Sequence, residues 1–414
     1  WSWRCRSNVV ETSSTLWDMP ALGRAAADPA VGTTVITRGS VSLQRPIAVF
    51  PGGSNTGLVA DIEECSDDLL GRAIYVVDLQ TGTLIRRFVD YRLDVGSKNF
   101  DAAITGSPAL YNDFPGSIVT RGFVGDAEGR LFRIDMTNPD PQQWFVHLFF
   151  DPQDPKHCDS GDPFLGSTLC ESGGFEFGAA NYRPAVAMTK DRNVVVVYGL
   201  GETNETSTSG KVQGMLAIEE KYSGVAAGAT NIPSNITPNP VWRQFFNERE
   251  ALTGEPIIFD NNVYFTTYNI PEDVCEVGNA RIWGLSFRKE DASSEYEPVG
   301  AWTQFEGYTE DLYTVEESSP PLWFGPVEPT LIRGLAVTMG PVCATDFGST
   351  GEGVDNQVQR KPQLVAQVGQ TAMDDSQAGT YGGTETGHGI SRITVDLEPP
   401  QTQAIPLSWT VINN

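Results

Sequence analysis

RGFVGDAEGRLFRIDM, Arg121–Met136, is the stretch whose reading decides the fold. Apolar and polar residues alternate on either side of a central turn, which is the period of a strand. Gly125-Asp126-Ala127-Glu128-Gly129 between them is turn chemistry. The segment therefore predicts a tight hairpin, with Gly125 and Gly129 in conformations that a side chain would oppose. Asp126 is expected to accept hydrogen bonds from nearby backbone amides, the common use of an aspartate in a turn.

Similar phrases recur along the chain. A small-Pro-apolar lead-in, a loop and an exposed strand are expected at Gly106–Leu110 before RGFVGDAEG. The same order is expected at Tyr182–Val186 before NVVVVYGLG, and at Gly254–Ile258 before NNVYFTTYN. Weaker copies of the lead-in occur at Gln44–Ala48 and Arg360–Leu364. A second phrase, an apolar strand closed by Asp and a turn, occurs at Val76–Gly82 and near Phe132–Met136. Helical periodicity is nearly absent, and the 42 glycines and 27 prolines supply turns. RAIYVVDL (Arg72–Leu79) and RIWGLSF (Arg281–Phe287) are further strands.

Strand groups repeating at intervals of tens of residues are the signature of propeller blades. The expected fold is all-β: a single β-propeller over residues 1–414, of seven blades, with long loop insertions. Two packed β-sandwich domains are the rival; the repeats run on without a clear linker, which favours the propeller. The insertions are Asp151–Phe177, Thr203–Lys211, Glu290–Tyr308, Thr345–Gln359 and Thr371–Gly389. Long loops on a rigid β scaffold commonly carry recognition.

Composition narrows the function. Asp and Glu number 53 against 28 Lys and Arg, a formal charge of -25. Such a surface repels phosphate backbones and disfavours adhesion to anionic headgroups, so no nucleic acid is expected as a partner; no direct membrane span is expected either, for a separate reason. No apolar run reaches the length of a membrane helix. The start, WSWRC, lacks an initiator Met and a signal-peptide pattern, as expected of a processed or partial product. The six cysteines form no CxxC and only three His exist, which argues against structural zinc. An even count in Gly/Asp-rich loops points to disulfides and an oxidising compartment. The expected pairs are Cys158–Cys170, Cys275–Cys343 and Cys5–Cys65. The first closes a short loop, worth roughly 3 kcal/mol; the second links two similar strand ends, and the third is the remaining pair.

The phrases also resemble a known family. LWDMPALG (Leu16–Gly23), IAVFPGGSNTG (Ile47–Gly57) and IYVVDLQTGTLIRRF (Ile74–Phe88) resemble the opening blades of the PilY family of type IV pilus biogenesis factors and pilus-tip adhesins. GSPALYND (Gly106–Asp113) with GFVGDAEGRLFRIDM resembles its commonest internal motif. YRPAVAMTKDRNVVVVYGLGE (Tyr182–Glu202) and GEPIIFDNNVYFTTYNIPEDVCEVGNARIWGL (Gly254–Leu285) follow in order. The resemblance implies a modified, quinoprotein-like propeller at the C-terminal end of a larger secreted protein, with the N-terminal adhesion region absent from this chain. It implies a non-enzymatic assembly factor and adhesin that binds minor pilins at the pilus tip. It further implies support of pilus extension, attachment to a host or abiotic surface, and twitching motility. The implied location is the cell surface or pilus tip, reached through the periplasm and outer membrane.

Calcium is left open by the resemblance. Family propellers carry an EF-hand-like loop, and Tyr111–Ser117 keeps Asn112, Asp113 and Gly116 but not the alternating acids. Asn112 and Asp113 are therefore the metal candidates, with Asp94/Asn99/Asp101 and Asp151/Asp154/Asp159/Asp162 as further acidic groups. The alternative function is a quinoprotein-like propeller dehydrogenase. That chemistry needs a quinone held between a Trp and a vicinal Cys-Cys disulfide, and the sequence has no Cys-Cys pair. A hydrolytic triad has little to build on, given three scattered His and no G-x-S-x-G.

Overall fold

The computed structural model describes residues 22–23, 27–54, 71–89, 100–112, 116–158, 164–165, 170, 175–189, 193–201, 210–222, 236–246, 249–259, 262–271, 278–286, 322–324, 332–339, 362–368 and 391–396. The chain divides into two compact units, Trp1–Leu252 with Leu407–Asn414, and Thr253–Pro406.

The first unit holds three four-stranded antiparallel meanders. The first is β1 (Ala30–Arg38), β2 (Val41–Pro51), β3 (Ala73–Asp78) and β4 (Leu84–Val89). The second is β5 (Ala109–Asn112), β6 (Val119–Gly125), β7 (Leu131–Asp135) and β8 (Phe145–Phe150). The third is β9 (Ala185–Met188), β10 (Val194–Leu200), β11 (Gly214–Tyr222) and β12 (Ile236–Phe245), and the short β13 (Glu250–Leu252) ends the unit. In the second unit β14 (Ile257–Phe259), β15 (Asn262–Asn269), β16 (Asn279–Ser286) and β17 (Leu322–Phe324) pair in sequence order. A three-stranded sheet of β18 (Ile332–Met339), β19 (Pro362–Val368) and β20 (Ser391–Asp396) follows. Successive meanders of this kind are the blades of a β-propeller. Five such sheets lie among the described residues, against the seven blades expected. Among the described residues the 3₁₀ turns Pro141–Gln143 and Pro155–Cys158 interrupt the loops.

The blades of the first unit pack face to face. Val124, Phe132 and Ile134 of the second blade meet Ile47, Val49, Ile74 and Val76 of the first. Phe123 and Leu131, their period-2 neighbours, point the other way and meet Val194, Val196, Tyr198, Leu216 and Ile218 of the third. In the second unit Tyr264, Ala280 and Ile282 pack with Ile332, Leu364 and Ala366. The middle blade is thus buried on both faces, which is why its strands carry apolar residues at consecutive positions.

The lead-in phrase has one structural meaning in its three strong copies. Pro108 and Pro184 each immediately precede the first strand of a sheet, β5 and β9, and Pro256 immediately precedes β14, which pairs with β15. The weaker copies differ: Pro46 lies inside β2 and Pro362 opens β19, both second strands. The strand after the lead-in is not exposed as expected. β10 is buried at all seven positions: ladders flank both of its edges, and Val194, Val196, Tyr198 and Leu200 pack into the core shared with the second blade. No helix among the described residues is long and apolar enough to cross a membrane.

Candidate functional site

The GDAEG turn joins β6 to β7 as a within-blade hairpin. Asp126 is fully buried. Its Oδ1 accepts from the Glu128 and Arg130 amides, both at 2.9 Å, and its Oδ2 accepts from Arg130 Nε at 2.7 Å. The backbone of the turn is tied on both sides as well. Ala127 N donates to Ala103 O at 2.9 Å and Ala180 N donates to Asp126 O at 2.8 Å. Burial pushes the Asp126 carboxyl up to about 6, against the pull of Arg130 and the amides toward ionisation. Gly129 takes the left-handed conformation, φ +82°. Gly125 is needed for a different reason from the one expected: a Cβ there would lie 2.3 Å from Ala180 Cβ and O, so it permits close approach between backbones.

A second buried cluster lies on the face shared by the second and third blades. Leu131, Arg133 and Asp135 form one row of β7, and Leu216, Ile218 and Glu220 form the matching row of β11, as the strand period requires. The apolar ends of both rows enter the same core. The charged ends pair: Arg133 Nε donates to Glu220 Oε1 at 2.5 Å and its Nη1 to Asp135 Oδ2 at 2.7 Å. Arg121, cross-strand from Asp135, donates through Nη1 to Glu220 Oε2 at 2.5 Å. Its guanidinium also lies 5.3 Å from the Tyr111 ring centroid. Two cations and two carboxylates balance inside the protein. His147 of β8 sits opposite Arg133 in the ladder; burial, and then the Arg133 charge, hold its pKa at about 4. The sequence reading missed this cluster. The signal was present as charges at alternate positions, Arg133 and Asp135, within an otherwise apolar strand.

The repeated Asp before a turn has one structural use. Asp78 Oδ1 accepts from the Gln80 and Thr81 amides, and Asp135 Oδ1 from the Thr137 amide and hydroxyl. Each closes the third strand of its blade.

The Asp151–Phe177 insertion is anchored where it is described. Cys158 and Cys170 form a disulfide with S–S 2.01 Å and Cα–Cα 5.4 Å. The His157 ring lies 4.7 Å from that of Phe150 and 6.0 Å from that of Phe164. Arg243 of β12 sits 5.6 Å over Phe164 and 5.8 Å over Phe245. A half-buried aromatic and cationic shelf thus runs from the insertion to the outer strand of the third blade. Cys5, Cys65, Cys275 and Cys343 lie outside the described residues.

Of the metal candidates, Asn112 ends β5 and Asp113 lies outside the described residues. Asp94, Asn99, Asp159 and Asp162 also lie outside them. The remaining acids are committed to other partners: Asp101 to Arg130 at 3.2 Å, Asp151 to the Gln153 amide and Asp154 to Lys156. Among the described residues no group of three or more His, Cys, Asp or Glu converges as a metal site.

No protein-family model and no curated protein matches the chain. Its structure is similar to the crystal structure of the Pseudomonas aeruginosa PilY1 C-terminal domain, with TM-score 0.48 and 14% identity over 84% of this chain and 71% of that one. It is also similar to the Cps50 (Swd1) β-propeller domain of Myceliophteria thermophila, with TM-score 0.20, 11% identity and coverage of 52% and 64%. A third similar structure is BamB from Moraxella catarrhalis, with TM-score 0.21, 9% identity and coverage of 52% and 65%. The first belongs to the family whose motifs the sequence resembles. The functional reading rests on the chain's own residues.

Proposed function

We propose that the chain is a non-enzymatic, tip-associated assembly factor and adhesin of the type IV pilus. It binds minor pilins and supports pilus extension, surface attachment and twitching, and it works outside the cell. The observation that carries the reading is the placement of the PilY-like phrases. GSPALYND with GFVGDAEGRLFRIDM builds β5 to β7, and YRPAVAMTKDRNVVVVYGLGE builds β9 and β10. GEPIIFDNNVYFTTYN through ARIWGL builds β14 to β16. The resemblance thus falls on equivalent strands of successive blades, rather than on scattered turns that any propeller shares. The buried ion network suits the same reading: Arg121, Arg133, Asp135 and Glu220 are engaged with one another between blades. The Cys158–Cys170 insertion and its aromatic shelf offer a surface for contact.

The test is a pull-down of minor pilins with the purified chain, paired with deletion of its coding region in the source organism. Capture of a minor pilin, with reduced surface piliation and twitching in the deletion, is the expected result. Normal pili and motility, with the truncated protein still secreted, would overturn it. An absorbance scan for bound quinone addresses the dehydrogenase alternative.

A further inference from the structure

His157 is the buried residue of the 3₁₀ turn Pro155–Cys158, only 7% exposed. Its backbone joins two parts of the chain. The His157 N donates to Asp154 O at 3.0 Å, and the His157 O accepts from Leu165 N at 3.3 Å. Its ring lies against Phe150, which ends β8, and against Phe164. Phe164 in turn carries Arg243 of β12. The turn is therefore held to the aromatic shelf through one imidazole.

The two nitrogens of that imidazole differ. The ring is hydrogen-bonded to the Asp151 backbone, and Nε2 is buried with no partner among the described residues. The bond thus engages Nδ1, which carries the proton, and Nε2 presents a bare lone pair. A second proton would have to go on Nε2. It would meet no acceptor there, and the new charge would lie out of water. The charged groups around the ring are committed elsewhere. Asp154 pairs with Lys156, Asp151 Oδ1 accepts from the Gln153 amide, and Arg243 is itself a cation. Tyr198 of β10, in the same core cluster, stays a neutral phenol, because burial pushes its pKa well above the ordinary value. Burial first, and then the Lys156 charge, hold the His157 pKa below its ordinary value, against the pull of Asp154 and Asp151.

We propose that His157 is an acid-sensitive pin: a proton taken up at Nε2 drives the imidazole away from Phe150 and Phe164, and the Pro155–Cys158 turn lets go of the shelf. The Cys158–Cys170 disulfide keeps the released turn tethered, so the change reverses when the proton leaves. The sign follows from linkage. A histidine that is harder to protonate in place than when released contributes its hold above its free value of about 6.5, and loses it as pH falls below that value. The device is independent of the pilus reading, since it needs only the packing around this ring.

The experiment measures hydrogen exchange of the full chain from pH 7 to pH 5, corrected for intrinsic exchange rates. This range lies above the Asp154 carboxyl, which the hydrogen bond from Lys156 holds below the usual range. Protection in the peptide covering Asp151–Cys158 should fall by a factor approaching about tenfold per pH unit below about 6.5, the slope for one proton. β10 should stay far better protected throughout, which separates release of the turn from unfolding. His157→Gln, which does not titrate, should show no such slope. Because that variant loosens the turn if glutamine packs poorly, a second measurement follows the histidine Cε1 carbon signals of the wild type during the same titration. The His157 signal should stay neutral where a free histidine would already be charged. Unchanged protection of the wild-type turn, or an equal slope in His157→Gln, overturns the proposal. A His157 signal that titrates at about 6.5 with the turn still protected overturns it as well, by showing that the site accepts the charge.

Discussion

Glu220 holds two buried arginines on one carboxylate, Arg121 on Oε2 and Arg133 on Oε1. Such a network is costly to desolvate and more costly to break, because the remaining partners keep their charge without compensation. Glu220→Gln should therefore lower the stability of the first unit by about 3–5 kcal/mol, read as a fall in the urea midpoint. Replacing Arg121, Arg133, Asp135 and Glu220 together by apolar residues of similar volume should recover most of that loss. A single variant with unchanged midpoint would show that the pairing contributes nothing. Two further residues set an opposed pH dependence. The Asp126 pKa is raised to about 6, so its contribution is fully present below its unfolded value and is lost as pH rises through 6. The His147 pKa is lowered to about 4, so its contribution is present above its ordinary value and is lost as pH falls through 4. Between these limits the two slopes oppose one another. Relative to wild type, Asp126→Asn should lose stability on acidification from pH 6 to 4, and His147→Gln should gain it. Parallel midpoint-against-pH curves for all three proteins would refute the assignment.

The disulfide-closed segment is the clearest element to test by removal. Cys158→Ser should destabilise the protein by roughly 3 kcal/mol, the loop-closure value for a link of this span, and dithiothreitol should reproduce the effect in wild type only. The hairpin turn offers a second test. Gly125→Val places a side chain against Ala180 and should disturb the second and third blades, which soluble yield and near-ultraviolet circular dichroism would register. At this scale the sequence was legible wherever local chemistry decides the outcome. The Asp126 turn, the Asp78 turn, the Cys158–Cys170 link and the prolines before β5, β9 and β14 all follow from neighbouring residues. What could not be read depends on what packs across from a strand. Arg133 and Asp135 look like solvent-facing alternation in β7 until Glu220 arrives from a residue 87 positions away from Arg133. Gly125 looks like a turn glycine until Ala180 fills its Cβ position. The burial of β10 likewise needs Phe123 and Leu131 of the second blade, which pack against Val194, Val196 and Tyr198, whereas its sequence shows only an apolar run.

At the scale of the whole molecule, net charge acts on stability in a way that no single contact expresses. A formal charge of -25 over 414 residues is self-repelling in the compact state, and salt screens exposed charges once the Debye length falls to about 10 Å at 0.1 M. The Arg121–Glu220–Arg133–Asp135 network lies inside the protein, where mobile ions do not reach. The two kinds of electrostatics should therefore separate experimentally. Raising sodium chloride from about 0.01 M to about 0.3 M should raise the wild-type Tm, because repulsion among surface carboxylates weakens. The deficit of Glu220→Gln relative to wild type should stay constant over the same series, since its cause is buried and unscreened. Calorimetric scans of both proteins across the salt series decide the matter. A deficit that shrinks with salt would place Glu220 in contact with solvent, and a wild-type Tm that falls with salt would mean that attractive surface pairs outweigh the net repulsion.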